Sequence, residues 1–182
     1  MKALRPFLLL AGALCGASLA FAAADQAAVS APKAAPASPV DVTFDNPAEF
    51  TDFTQSYSSK DYGQDGLMSQ FREFLQDRLA SRLAPGQRVE IKFKDIDLAG
   101  DFEPWRGPRA DDIRIVKDIY VPRMKLDFRL INADGTVAAE GHRELSNLGF
   151  MTSIAFPQSD PLRWDKDMLN DWMRREFPAK KK

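Results

Sequence analysis

The sequence predicts an α+β fold, a two-layer sandwich in which two main helices cover one face of a mixed or antiparallel sheet of about five strands. Two periodicities support this prediction. Residues 123–130 alternate apolar and charged side chains, as a half-buried strand does, and residues 65–83 place apolar side chains at helical spacing. The order strand, helix, strand, strand, hairpin, helix also allows a parallel neighbour for the first strand.

The first folded element is a short strand from Val40 to Phe44, which ends at Asn46-Pro47. The polar and aromatic residues 48–63 follow it. We expect this segment to wrap the surface and dock three rings, Phe50, Phe53 and Tyr57.

Two helices are predicted from their start signals and apolar faces. Asp65 caps the first helix, which ends before Pro85-Gly86. Asp160-Pro161 opens the second, because Asp caps helices and Pro fits the first helical position. The apolar faces comprise Leu67, Phe71, Phe74, Leu75, Leu79 and Leu83 in the first helix and Leu162, Leu169, Trp172 and Met173 in the second.

The middle of the chain contains two more strands. In residues 88–98 the apolar positions change from odd to even numbers at Lys94-Asp95, which indicates a bulge. Residues 99–112 are a loop with two prolines. A further strand is predicted near residues 113–119, and Pro122 bends the next strand or marks a sheet edge.

Charge pairing predicts the register of the last hairpin. A loop of residues 133–136 places Arg129 opposite Glu140 and Lys125 opposite Glu144. A two-residue loop would instead set Asp127 against Glu140, which is a like-charge pair. We therefore predict the longer loop, with the inward residues 124–130 even-numbered and 137–145 odd-numbered. The expected shared core contains Phe71, Leu75, Leu126, Phe128 and Trp172.

The two ends of the chain have other roles. Residues 1–24 have the pattern of a cleaved secretory signal peptide, with Lys2 and Arg5 before an apolar run that is too short and Ala-rich for a good membrane span. Leu14 before Cys15 argues against lipid attachment. Residues 25–39 are a flexible Ala/Pro linker, residues 40–178 a single α+β domain, and residues 179–182 a basic tail. The predicted location is the periplasm.

The mature chain offers few reactive side chains. Cys15 leaves with the signal peptide, and His142 is the only histidine. No P-loop, nucleophile elbow or dinucleotide-binding turn is present, so we assign no catalytic, cofactor-binding or metal-binding residue. Loss of Lys2 and Arg5 takes the formal net charge from −1 to −3, which gives no general attraction to nucleic acid.

Carboxylates are the one abundant reactive type. They crowd a single segment and suggest either a calcium site or an acid/base pair, although their spacing matches no known calcium loop. Four cations, Arg106, Arg109, Arg114 and Lys117, lie among them, so ion pairing and solvation account for most of the cluster. The carboxylates are Asp95, Asp97, Asp101, Glu103, Asp111, Asp112 and Asp118.

The loop around Trp105 is the candidate interaction surface. Its prolines restrict the backbone, and Trp and Arg are enriched among interface hot spots. The alternative is that Trp105 folds back and caps the open end of the sheet, since a large aromatic gains free energy from burial. The candidate surface comprises Phe102, Trp105, Arg106 and Arg109.

Two long motifs carry a resemblance to a known family. They are DIDLAGDFEPWRGPRADDIRIVKDIYVPRMKL and, later in the chain, SDPLRWDKDMLNDWMRREF. With them, residues 40–177 resemble an uncharacterised family of secreted proteobacterial proteins that is known only as a domain of unknown function. The resemblance implies a Gram-negative periplasmic setting and names no substrate.

These observations predict a non-catalytic periplasmic binding or envelope-associated protein. The alternative is a small hydrolase that uses the carboxylates of residues 95–118. We expect an envelope or periplasmic protein as partner, no cofactor, no nucleic acid and no stable membrane insertion after signal cleavage. The sequence leaves the oligomeric state open.

The signal-peptide prediction is tested by the mass of the exported protein. We expect an N-terminus at Ala23 or Asp25, because small residues precede both positions at the spacing that signal peptidase requires. Intact-mass measurement of the periplasmic protein checks this. A retained N-terminus or an added lipid mass would contradict it.

Overall fold

The computed structural model of the protein describes residues 38–59, 61–107 and 110–178. Within these ranges the alternating and helical apolar patterns correspond to six strands and two helices. These residues belong to one compact unit. The strands are β1 (Val40–Phe44), β2 (Arg88–Asp97), β3 (Asp101–Phe102), β4 (Arg114–Ile115), β5 (Arg123–Ile131) and β6 (Val137–Ser146). The helices are α1 (Gln64–Ala80) and α2 (Arg163–Glu176).

The main sheet is mixed and has the strand order β1-β2-β5-β6. The strand β1 runs parallel to β2, with α1 connecting them, and the other neighbours are antiparallel. Both helices pack on one face, so the predicted α+β sandwich is confirmed. The number of strands differs from the prediction, because β3 and β4 form a separate two-stranded sheet.

The strand predicted near residues 113–119 is therefore wrong except for β4. The chain bends after it, where the Tyr120 N–H donates to the Lys117 carbonyl at 3.0 Å. Ile113 and Ile119 are 58% and 68% exposed rather than buried in a sheet. The apolar character of residues 113–119 had indicated a longer strand, but only β4 within this segment pairs with another strand.

The charge-based hairpin register is confirmed over most of its length. Arg129 lies opposite Glu140 and Lys125 opposite Glu144. The register shifts by one after Leu130, and the Asn132 N–H donates to the Thr136 carbonyl at 2.8 Å. This bulge shortens the predicted four-residue loop to residues 133–135, where Gly135 has a positive φ of 86°. The predicted bulge in β2 is also present, between Phe93 and Asp95.

Helix capping differs from the predictions in detail. Gly63, in the left-handed region, precedes α1, and the Leu67 N–H donates to its carbonyl at 3.0 Å. Asp65 lies inside the first turn and makes no capping hydrogen bond. Before α2, Asp160 accepts the Leu162 N–H at 2.9 Å, so it caps the turn that leads into the helix, which begins later than predicted.

One hydrophobic core joins the sheet to both helices and contains all five residues predicted to share it. Phe50 and Phe53 dock as expected, but Tyr57 is 59% exposed and its predicted docking is wrong. The inward face of β6 also departs from prediction. Val137 and Ala139 are exposed and only Leu145 is buried among its predicted apolar positions, because α2 covers no more of this edge strand.

Arg143 occupies an inward position of β6 in place of an apolar residue. Its guanidinium group lies 5.0 Å from the centre of the Phe128 ring, and its Nε donates to Glu176 at the end of α2. Opposite charge and cation–π contact thus close the core at this edge.

The predicted signal peptide, nearly all of the linker and the basic tail lie outside the described residues. Within the described ranges, neither helix has the length and apolar character needed to cross a bilayer.

Truncation of Phe128 tests the core. The ring is 4% exposed and makes edge contacts with Trp172 and Phe177 at centroid distances of 6.0 and 5.7 Å. We expect Phe128→Ala to lower the free energy of unfolding by roughly 3–5 kcal/mol in urea titrations. Lys125→Ala, on the exposed face of the same strand, is the control. A loss below about 1 kcal/mol for Phe128→Ala would contradict this packing.

Candidate functional site

An open cleft of about 420 Å³ lies where β2 ends and β5 begins. We call it the sheet-end cleft. Its walls come from three connecting segments, at residues 48–57, 100–102 and 119–121. The lining side chains include the carboxylates Asp52, Asp97 and Asp101, the cation Arg123, and the apolar or aromatic groups Tyr57, Phe102, Ile119 and Tyr120.

Arg114 fastens two of these segments together. Its guanidinium group makes a bidentate ion pair with Asp52, at 2.5 Å (Nη1–Oδ2) and 2.9 Å (Nη2–Oδ1). The same nitrogens donate to the carbonyl groups of Gly100 and Thr54, each at 2.9 Å, and the group lies 4.5 Å from the centre of the Phe102 ring. Planar bidentate pairing is the strongest geometry available to this side chain, so the cleft wall is held firmly.

Asp97 carries negative charge that its surroundings match only in part. It sits beside Asp52 in an isolated parallel bridge, and its one cation, Arg123, is 3.4 Å away (Nη1–Oδ2). Burial, and then the neighbouring Asp52 charge, raise the pKa of Asp97 above its usual range. Asp101 adds a third carboxylate, which accepts the Phe102 N–H at 2.7 Å and forms no ion pair with a described cation.

Glu103 is buried behind the cleft and ties two turns together. It is 1% exposed, and it accepts hydrogen bonds from the Tyr120 hydroxyl at 2.8 Å, from Lys117 Nζ and from Arg106 Nε. The Lys117 hydrogen bond is the largest of the effects that lower its pKa to about 2. Glu103 is thus a structural anion, and not an available acid or metal ligand as its place in the acidic segment suggested.

Exposed apolar side chains stand on the cleft wall and on a turn that Glu103 ties to it. Tyr57 and Ile119 line it and are 59% and 68% exposed. Trp105, in the 3₁₀ turn of residues 104–106, is 73% exposed. The alternative in which Trp105 caps the sheet is therefore wrong. We call Tyr57, Trp105 and Ile119 the apolar rim.

The four residues of the candidate interaction surface take different positions. Phe102 is 4% exposed, in the wall shared with Arg114, while Trp105 projects into solvent. Arg106 is exposed but its Nε is engaged by Glu103. Arg109 lies outside the described residues. Tyr57, Asp52 and Ile119 were missed as site residues. For Tyr57 and Ile119 the one signal was apolar character outside the paired strands, and the sequence held no signal for Asp52.

Asp95 and Asp112, two further carboxylates of the acidic segment, have local roles. Asp95 accepts from the Thr51 N–H at 2.8 Å and from its hydroxyl at 3.0 Å, and Asp112 accepts from the Ser56 hydroxyl at 2.8 Å. Among the residues that the structure describes, no group of three or more His, Cys, Asp or Glu side chains is placed to hold a metal ion.

The fold and the cleft define a small α+β domain with a rimmed, partly acidic cleft at the end of its sheet. A family model with the description "Protein of unknown function (DUF3016)" matches residues 38–175, so the chain belongs to this family. The resemblance to a domain of unknown function is thereby confirmed. No curated protein matches the chain.

Acid unfolding tests the role of Glu103. Because folding lowers its pKa from 4.5 to about 2, the ionised side chain stabilises the fold above pH 4.5, and this contribution is lost as the pH falls towards 2. We expect Glu103→Gln to unfold at a lower urea concentration than the wild type at neutral pH. The difference between the two unfolding midpoints should shrink as the pH falls. The control is Glu144→Gln, an exposed carboxylate on β6. A gap that stays constant with pH would contradict the assignment.

Proposed function

We propose that this protein is a non-catalytic binding module of the periplasm, and that the sheet-end cleft and its apolar rim dock a segment of another protein. One observation carries the proposal: Tyr57 and Ile119 line the cleft and are more than half exposed, and Trp105 is exposed on a turn that Glu103 ties to the cleft wall at Tyr120. Single exposed apolar side chains are common on protein surfaces, whereas several of them beside one concave surface are typical of an interaction site.

The rim is held in place before any partner arrives. Glu103 joins the turn that carries Trp105 to the turn that carries Ile119, through Arg106, Lys117 and Tyr120. Arg114 holds the opposite wall through Asp52. A surface that is already ordered loses less conformational entropy on binding, which favours affinity.

The charges of the cleft favour a basic segment flanked by apolar residues. Asp101 forms no ion pair with a described cation, and Asp97 is paired only with Arg123, the one cation among the described residues that line the cleft. A Lys or Arg side chain entering here would stabilise the ionised form of Asp97, whose pKa is raised. The neighbouring aliphatic residues of the same segment would cover Trp105 and Ile119.

The export pattern of residues 1–24 supports a periplasmic location, and an envelope or periplasmic protein is then the partner that the module can meet. The formal net charge of −3 after signal cleavage disfavours nucleic acid as a partner.

A small carboxylate-dependent hydrolase is the second candidate, and the pairing of Asp52 with Asp97 is the observation that favours it. Glycosidases use two carboxylates in contrasting environments, one of them with a raised pKa. In this chain both oxygens of Asp52 are engaged by Arg114, which leaves that carboxylate poorly placed to act as nucleophile or base.

Peptide binding tests the proposed surface. The probe is a fluorescent peptide with one Arg flanked by Leu residues, measured by anisotropy, and a Glu-for-Arg peptide is the matched ligand control. We expect Trp105→Ala to weaken binding at least tenfold, about 1.4 kcal/mol. The melting temperature should barely change, since the side chain is exposed. Acidification should weaken binding to the wild type, because protonation removes the negative charge of Asp97. Asp97→Asn should abolish this pH dependence.

Leu148→Ala is the control variant, because Leu148 is 79% exposed and does not line the cleft. Crosslinking in the periplasm should capture the same partner with wild type and Leu148→Ala, and lose it with Trp105→Ala. Equal binding by Trp105→Ala would contradict the surface. Turnover of glycoside or ester substrates that Asp97→Asn or Asp112→Asn abolishes would contradict the non-catalytic assignment.

A further inference from the structure

A second cavity of about 350 Å³ lies between α1, the end of β2 and the start of α2. We call it the inner cavity. Thr54 and Phe102 line both it and the sheet-end cleft, so these side chains separate the two spaces. Its floor is apolar and buried, and comprises Leu67, Leu98, Ala99 and Leu162. Its volume falls within the range of small-ligand sites, roughly 300–1,000 Å³.

Asp165 places a carboxyl group at this apolar floor. The residue is 1% exposed, and its Oδ1 accepts the Ala99 N–H at 3.1 Å. No cation of the described residues forms an ion pair with it, although an isolated buried carboxylate is strongly disfavoured. Burial is accordingly the main cause that raises the pKa of Asp165 to about 7.

The polar groups around the cavity leave it short of positive charge. Arg114 is its only described cation, and both terminal nitrogens of that guanidinium group are engaged by Asp52 and by carbonyl groups. Asp112 and Gln55 also line the cavity and are exposed, so they mark its mouth. Two carboxyl groups, Asp165 inside and Asp112 at the mouth, therefore face the space without a cation of their own.

We propose that the inner cavity binds a small organic ammonium ion, with the charged nitrogen at the Asp165 carboxylate and the hydrocarbon part against Leu67, Leu98 and Leu162. An anion is disfavoured, because Asp112 and Asp165 repel it and Arg114 is already paired. A neutral apolar molecule would leave the negative charge of the ionised Asp165 carboxylate unpaired. This site is separate from the proposed protein-docking surface, and neither depends on the other.

Ammonium binding is coupled to a proton. At neutral pH Asp165 is partly protonated, and a bound ammonium ion favours the ionised carboxylate, so binding releases the carboxyl proton to solvent. Affinity therefore rises with pH up to about pH 8, by at most about tenfold per pH unit, and then levels off. The Asp52 charge also raises the pKa of Asp165, and the Arg114 charge lowers it, since both groups face Asp165 from the neighbouring segments.

Calorimetry with the purified wild-type protein tests the proposal. The probe is n-butylammonium, with n-butanol as the neutral control of similar size and butyrate as the anionic control. We expect saturable binding of the ammonium ion alone, with proton release shown by a heat that changes with the ionisation enthalpy of the buffer. Asp165→Asn, which keeps the shape of the side chain, should weaken binding by about tenfold or more. Asp112→Asn should weaken it by less.

Amide chemical shifts of the wild type provide a readout that needs no variant. Titration with n-butylammonium should move the Ala99 and Asp165 signals while Phe128, in the core beside β6, stays unchanged. Absence of saturable binding at millimolar n-butylammonium would overturn the proposal. Equal affinity for n-butanol, or shifts that spare Ala99 and Asp165, would overturn it as well.

Discussion

The sheet-end cleft and the inner cavity both depend on one guanidinium group. Arg114 joins Asp52, Thr54 and Gly100, and it lies against the ring of Phe102, whose side chain separates the two spaces. These contacts tie the short sheet of β3 and β4 to the irregular segment of residues 48–57. Gly100 allows this close approach, because a Cβ there would lie 2.9 Å from the Ile115 carbonyl oxygen.

The residues that stabilise the fold are largely different from those of the proposed recognition surface. The main core takes most of its residues from the four-stranded sheet and the two helices. Its aromatic rings contact one another in a series from Phe44 through Phe93 and Phe71 to Phe53, which anchors the cleft-wall segment in the core. The loops at the end of the sheet are held instead by ion pairs centred on Glu103 and Arg114. Changes at the rim can therefore alter binding with little effect on the fold, whereas the buried Glu103 carboxylate, whose pKa is lowered, makes stability depend on pH.

Local patterns in the sequence were enough to predict the shared core and most of the hairpin register, because periodicity and cross-strand charge act between residues whose spacing is fixed by the element itself. They also located the bulge in β2. They did not reveal the pairing of Arg114 with Asp52, which are 62 residues apart and belong to segments without a period. Nor did they show that Glu103 is buried or that Trp105 is exposed, since seven carboxylates in one segment look alike until their neighbours are known.

The inward position of Arg143 has a further consequence for the edge of the sheet. The strand β6 is ten residues long and lies at the end of the strand order, so its outer hydrogen-bonding groups offer a template for another chain. A strand added there would have to pack its own side chains beside a charged group that is committed to Glu176 and to the ring of Phe128. Glu140, His142 and Glu144 present charge or polarity on the opposite face. Growth of the sheet into a polymer is thus disfavoured at the edge most open to it, which protects the protein from aggregation at high concentration.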